Sequence, residues 1–194
     1  MKKALLIAAH LTDAVLCAGG TFARLSRDGI QTRWLIVGCE NCAPDILAGI
    51  RRALGIAEIL QSDLANIAAA VASFDPDVVF SHWHGDPDAD HRIVGEAVDG
   101  CFLAGRGGKA VSRIAMDIDP AMTGLADTAG SLFVPNMFSD IAATIEQKIM
   151  ALRQLPRATA HLWTEAAVRE SAAAWGRQCG LAAVEPLRIV NKVN

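Results

Sequence analysis

Two short segments hold most of the residues able to do metal or acid–base chemistry. One is His10-Leu11-Thr12-Asp13; the other is His82-Trp83-His84-Gly85-Asp86-Pro87-Asp88-Ala89-Asp90-His91. Four of the five histidines fall within them, which makes their clustering the strongest signal in the chain. A histidine, an aspartate three residues on and a distant second histidine form a nitrogen and oxygen donor set suited to zinc. Three protein donors also leave a position open for water, the catalytic arrangement. His10, Asp13 and His91 are that set, with Zn2+ or another divalent metal as the cofactor. The same residue types also serve local structure: Asp13 can cap a helix, and so can Asp90 for one beginning at His91.

Both segments follow runs that read as buried strands, Lys3–Ala9 and Asp77–Ser81. Short apolar runs alternate with Ala-rich helical patterns along the chain, the signature of βαβ units and a parallel sheet. The expected fold class is α/β, a Rossmann-like three-layer sandwich with a mostly parallel sheet. Ligands of such sheets sit beyond the carboxyl ends of the strands, where both segments fall. Gly19-Gly20 is expected to open a helix running to about Arg27, followed by a strand at Trp34–Val37 and a helix from about Ile46 to Leu54. A short strand near Ile59 and a helix from about Leu64 to Ser73 come before the second segment. A helix beginning near His91 follows it, then a strand at Val111–Ile118. Ile141, Ile145, Ile149 and Leu152 predict an amphipathic helix from an Asp140 cap to Leu155. A helix over Thr164–Gln178 and a strand over Leu187–Val190 complete the pattern. With no repeat or linker, residues 1–194 read as one domain.

The chain is 52% apolar and 20% charged, which excludes disorder and leaves apolar surface for a homo-oligomer or a partner subunit. A net charge of -3 without a basic block gives no support for nucleic acid. The run Ala4–Ala9 is too short for a signal-peptide core or a membrane span. Five cysteines, an odd number without an export signal, fit reduced thiols and a cytoplasmic location. Cys39 and Cys42 form an isolated C-x-x-C that lacks the second pair of a structural zinc site. Gly105–Lys109 lacks the ending of a phosphate loop, and Gly19-Gly20 is not a dinucleotide fingerprint. Packing is the default for His161 and Trp163.

At the two segments the chain resembles the PIG-L (LmbE-like) N-deacetylases. AHLTDAVLCAGG, residues 9–20, looks like that family's A-H-P-D-D signature with its G-G at fixed distance. GDPDADHRIVGEAV, residues 85–98, resembles its H-P-D-H motif and following helix. FVPNMFSDI, IEQKIMAL and AAVEPLRIV look like its C-terminal landmarks. The resemblance implies a Rossmann-like fold with zinc at the carboxyl edge of the sheet and hydrolysis of an N-acetyl group on a small amino-sugar substrate. It implies zinc ligation by His10, Asp13 and His91, with Asp90 supporting a ligand histidine.

The departures carry equal weight. Thr12 stands where the family keeps its general-base Asp, and a threonine hydroxyl is no base near neutral pH. Asp88 stands where the family has a histidine that polarises the amide carbonyl, and a carboxylate there would repel a developing oxyanion. Leu11 replaces the family's Pro, Ala14 and Val15 replace its next acidic residue, and Arg51 and Arg52 are uncertain counterparts of a substrate-contacting arginine region. Asp86, Asp88, His82 or His84 could take over proton transfer, or stand as solvated loop residues. Trp83, His84 and Asp86 are candidates for substrate contact, with Trp83 able to stack on a sugar ring. Two functions follow: a zinc-dependent deacetylase, or a catalytically degenerate relative that binds a sugar or a partner.

Overall fold

The structure, a computed structural model, describes residues 1–38, 42–103, 111–118, 133–156 and 163–193. Seven strands form one sheet in the order β3-β2-β1-β4-β5-β7-β6. They are β1 (Lys3–Ala8), β2 (Gln31–Ile36), β3 (Glu58–Gln61), β4 (Val78–His82), β5 (Ser112–Met116), β6 (Met137–Asp140) and β7 (Val184–Asn191). The first five are parallel; β7 runs antiparallel to β5 and β6 antiparallel to β7. The mostly parallel α/β expectation is met, with the mixed edge added.

Each central strand is buried on both faces, which is why it reads as an unbroken apolar run. Along β1, Ala4, Leu6 and Ala8 enter one core while Leu5 and Ile7 enter the other. The first core is completed by α1 (Leu11–Arg27), α2 (Pro44–Leu54), α5 (Ile145–Leu152) and α6 (Glu165–Cys179). The second is completed by α3 (Ile67–Phe74) and α4 (Ala89–Leu103). These helices on both faces make the three layers.

The structure differs from the sequence reading at three points. Helix α1 begins at Leu11 rather than at the glycine pair, because Asp13 Oδ2 accepts the His10 backbone N–H at 3.0 Å and starts the helix there. Gly19 and Gly20 lie inside it, since a Cβ on Gly20 would meet Ile141 Cγ2 at 2.8 Å. Strand β6 was hidden by the helical repeat around it. Asp140 ends that strand and accepts the Ala142 N–H, and α5 begins only after Thr144. Cys17, Cys101 and Cys179 are free thiols as expected, but Cys42 is disulfide-bonded. The readings at Cys39, Gly105–Lys109, residues 120–130 and His161 lie outside the described residues. Among those described, no helix is long and apolar enough to cross a membrane.

Candidate metal centre

The sheet order reverses between β1 and β4: the chain leaves β1 for β2 on one side and returns to β4 on the other. Such a switch point opens a crevice at the carboxyl ends of the strands. His10 follows β1 directly and caps α1. His82 ends β4, and His91 lies in the first turn of α4. Gly95 lets that turn approach the strand, because a Cβ there would stand 2.9 Å from the His82 carbonyl oxygen. The two sequence segments therefore meet.

Asp13 Oδ2 is the focus. His10 Nδ1 lies 3.1 Å from it and His91 Nε2 3.0 Å, while His82 Nε2 is 3.6 Å away. Donor atoms on a tetrahedral zinc ion, each at about 2.0–2.1 Å, stand roughly 3.3 Å apart. The spacing of His10, Asp13 and His91 is close to that, and their ligand atoms all lie within 4.8 Å of one another. His91 Nδ1 meets Asp86 Oδ2 at 2.8 Å, which fixes the ring and leaves Nε2 to face Asp13. The donor set and its orientation fit a divalent cation of the zinc type.

His82, Asp86 and His91 form a second close set. The His82 and His91 rings are stacked, with centroids 4.0 Å apart and 12° between planes. Their in-plane lone pairs run side by side instead of converging. The Ala9 N–H already donates to His82 Nε2 at 2.9 Å, which places the His82 proton on Nδ1. That buried Nδ1 has no partner among the described residues. His82 is a packed neutral ring rather than a ligand.

Charges in the site follow from these contacts. Burial disfavours the Asp13 carboxylate, yet hydrogen bonds from His10 and His91 hold it well below the usual range. Burial also pulls His91 down, but Asp13 and Asp86 together hold it at about 10. The Asp13 hydrogen bond raises His10 against its burial. Burial, then the neighbouring His91 charge, pushes His82 down to about 4. Burial and the adjacent Asp86 raise Asp117, which bonds to Asp86 just past the end of β5. The Asp13 carboxylate favours a proton on each of the two imidazoles bonded to it, and a cation bound there would displace such protons.

The remaining predicted residues divide by location. Asp88 is exposed, and its Oδ1 accepts the Asp90 N–H at 2.8 Å and the His91 N–H at 3.4 Å, so it caps α4. Asp90 has 69% of its side chain exposed, and its Oδ2 stands 3.6 Å from His10 Nε2. Thr12 is half-buried in the first turn of α1. Asp86 is buried and supports His91 rather than facing solvent. Trp83 is buried too, edge-on to Phe133 at 5.8 Å, while His84 is exposed. Sequence reasoning missed Asp117, which it absorbed into a strand. An acidic residue at the carboxyl end of a parallel strand was the available signal.

Among solved structures the chain is similar to a conserved protein of Thermus thermophilus, with a TM-score of 0.79 at 20% identity over 100% of this chain and 97% of that one. The 4-carboxy-2-hydroxymuconate hydratase of Pseudomonas putida gives 0.80 at 19% identity, over 100% and 98%. N,N'-diacetylchitobiose deacetylase of Pyrococcus horikoshii gives 0.69 at 21% identity, over 97% and 84%. The chain has the fold of the PIG-L-type deacetylases. No protein-family model and no curated protein matches the sequence. This PIG-L-type fold is shared by a deacetylase and a hydratase, so the reaction has to be argued from the site.

Proposed function

We propose that this chain is a PIG-L-like, metal-dependent hydrolase that removes an N-acetyl or related acyl group from an amino-sugar derivative. The observation that carries the reading is the convergence of His10 Nδ1 and His91 Nε2 on Asp13 Oδ2 at 3.1 and 3.0 Å. Those three residues would hold the cation, which supplies Lewis acidity toward an amide carbonyl and makes water more acidic. Asp86 keeps the His91 ring turned toward Asp13, and the neutral, stacked His82 keeps both in place without adding charge. In this reading Asp90, whose Oδ2 stands 3.6 Å from His10 Nε2, would take the proton that Thr12 cannot. Asp88 is tied into the α4 cap, where its Oδ1 is already engaged by two backbone N–H groups. The amide-hydrolysis assignment draws support from the fold shared with the chitobiose deacetylase.

Metal analysis of the purified protein, paired with acetate release from N-acetylated sugars, tests this. One equivalent of zinc with acetate release abolished by His91→Ala is the expected result. A protein that binds no divalent metal and releases no acetate overturns it, and leaves the degenerate, ligand-binding relative as the reading.

A further inference from the structure

Three landmarks of the sequence lie away from the His–Asp cluster: Gly19-Gly20, the Lys of IEQK and the Glu of VEP. In the structure they meet at one point. Lys148 of α5 and Glu185 of β7 form a buried ion pair, Nζ to Oε1 at 2.7 Å, with their side chains 5% and 2% exposed. Lys148 Nζ also donates to the Leu16 carbonyl at 2.5 Å, and Glu185 Oε1 accepts the Gly20 N–H at 2.8 Å. Leu16 and Gly20 are the carbonyl and N–H that face each other across one turn of an α-helix. The ion pair thus grips α1 at a single rung, one turn beyond Asp13. Glu185 Oε2 takes the Thr21 N–H at 2.7 Å and the Thr21 hydroxyl at 2.5 Å, and that hydroxyl also reaches Ser139. Glycine at position 20 lets α1 lie against Ile141 beside this pair, since a Cβ there would meet Ile141 Cγ2 at 2.8 Å.

The same pair borders the other arm of the site. A cavity of about 20 Å³ is lined by Lys148, Glu185, Cys17 and Asp117, and Asp117 bonds to Asp86, the residue that orients His91. Burying two charges is expensive and often adds no stability over apolar residues of the same size, so the pair's value lies in what its directional contacts fix. We propose that Lys148 and Glu185 are positioning residues for the metal centre. They set where the first turn of α1 sits, and with it where Asp13 stands relative to His91. The proposal rests on the metal-hydrolase reading for its purpose but not for its test.

That test uses the ring-nitrogen resonances of the histidines in the metal-free protein, recorded for wild type and for Lys148→Met/Glu185→Leu, which replaces both charges with apolar side chains. The His10 and His91 resonances are expected to shift, because their hydrogen bonds to Asp13 change, while those of exposed His84 stay. Zinc affinity should fall about 10- to 100-fold, the usual cost of losing support around a ligand. A folded double variant with unmoved His10 and His91 resonances overturns the proposal, since a merely structural pair would change only the melting temperature. Should the double variant not fold, near-isosteric Thr21→Val decides: it removes the Thr21 hydroxyl contact to Glu185 and should shift the same two signals by less, and no shift overturns the proposal. If wild type binds no zinc, the hydrolase reading fails on that result, and the ring resonances still decide the positioning role.

Discussion

Two buried charge clusters flank the first turns of α1, and they are built on opposite principles. At the back, every charged or polar atom of the Lys148–Glu185 pair named above meets a partner of opposite character: carbonyl, N–H, hydroxyl or counter-charge. At the front, one carboxylate oxygen of Asp13 is approached by the His10 N–H and by three imidazole nitrogens, at 3.0 to 3.6 Å. The back cluster is closed and needs nothing. The front cluster gathers imidazole nitrogens around one oxygen, an arrangement held together by protons on His10 and His91 or by a shared cation. Geometry of the second kind is what a binding site needs, and geometry of the first kind is what holds it still.

The largest effect is expected at the site's rim. Asp90→Asn should lower turnover about a hundred- to ten-thousand-fold if Asp90 takes the proton, with zinc content unchanged. Thr12→Asp should raise turnover in wild type and restore part of it to the Asp90 variant. Steady-state acetate release measures both; an Asp90→Asn enzyme of full activity would return proton handling to another carboxylate. At the back, Lys148→Met alone strands the Glu185 charge and should cost about 3–5 kcal/mol in chemical denaturation. Adding Glu185→Leu should recover most of that loss. If the single variant is as stable as wild type, the back cluster is not the closed, mutually dependent pair described.

How much of this was legible in the sequence follows the same division. The front cluster was visible because its chemistry is local: His10 and Asp13 are three residues apart, and the second segment is a single loop. The sheet was visible too, since strands buried on both faces give continuous apolar runs. The division of labour among the loop carboxylates was hidden. Asp86, Asp88 and Asp90 alternate along one short stretch, and only the turn into α4 sends Asp86 inward to His91 while Asp88 caps the helix. The back cluster was illegible as a cluster. Its members come from α1, α5 and β7, separated by up to 165 residues, and Lys148 sat in a pattern that read simply as amphipathic helix. The glycine pair misled for the same reason: it marks a close approach from far along the chain rather than a helix start.

A smaller effect sharpens the front cluster's internal order. Asp86→Ala removes the acceptor on His91 Nδ1, freeing the ring to rotate away from Asp13. Zinc affinity, measured by calorimetry, should fall about 10- to 100-fold. Asp90→Ala should lower it less, because Asp90 stands 3.6 Å from His10, beyond hydrogen-bond distance. Equal losses from the two variants would show that both carboxylates support their histidines alike.

The smallest effect is one of pH. His91 is held at about 10, above the roughly 6.5 of an unfolded histidine. A raised folded value contributes stability that is complete below about pH 6.5 and is lost as pH rises through about 10. The metal-free protein should therefore melt at progressively lower temperature across that window. Asp13 adds nothing to the trend: its lowered value keeps it a carboxylate throughout the range, and its own contribution disappears only in acid. Zinc affinity should move the other way. A cation must displace the His91 proton, so affinity should rise about tenfold per pH unit over the same window, with His10 adding to the slope because it too is raised. Opposite slopes for metal-free melting and for zinc affinity are the signature of His10 and His91 sharing the Asp13 oxygen through protons that a cation displaces. A zinc affinity that stays flat between about pH 6.5 and 9 would mean that His91 carries no proton to displace, and that Asp13 is not the centre of the site.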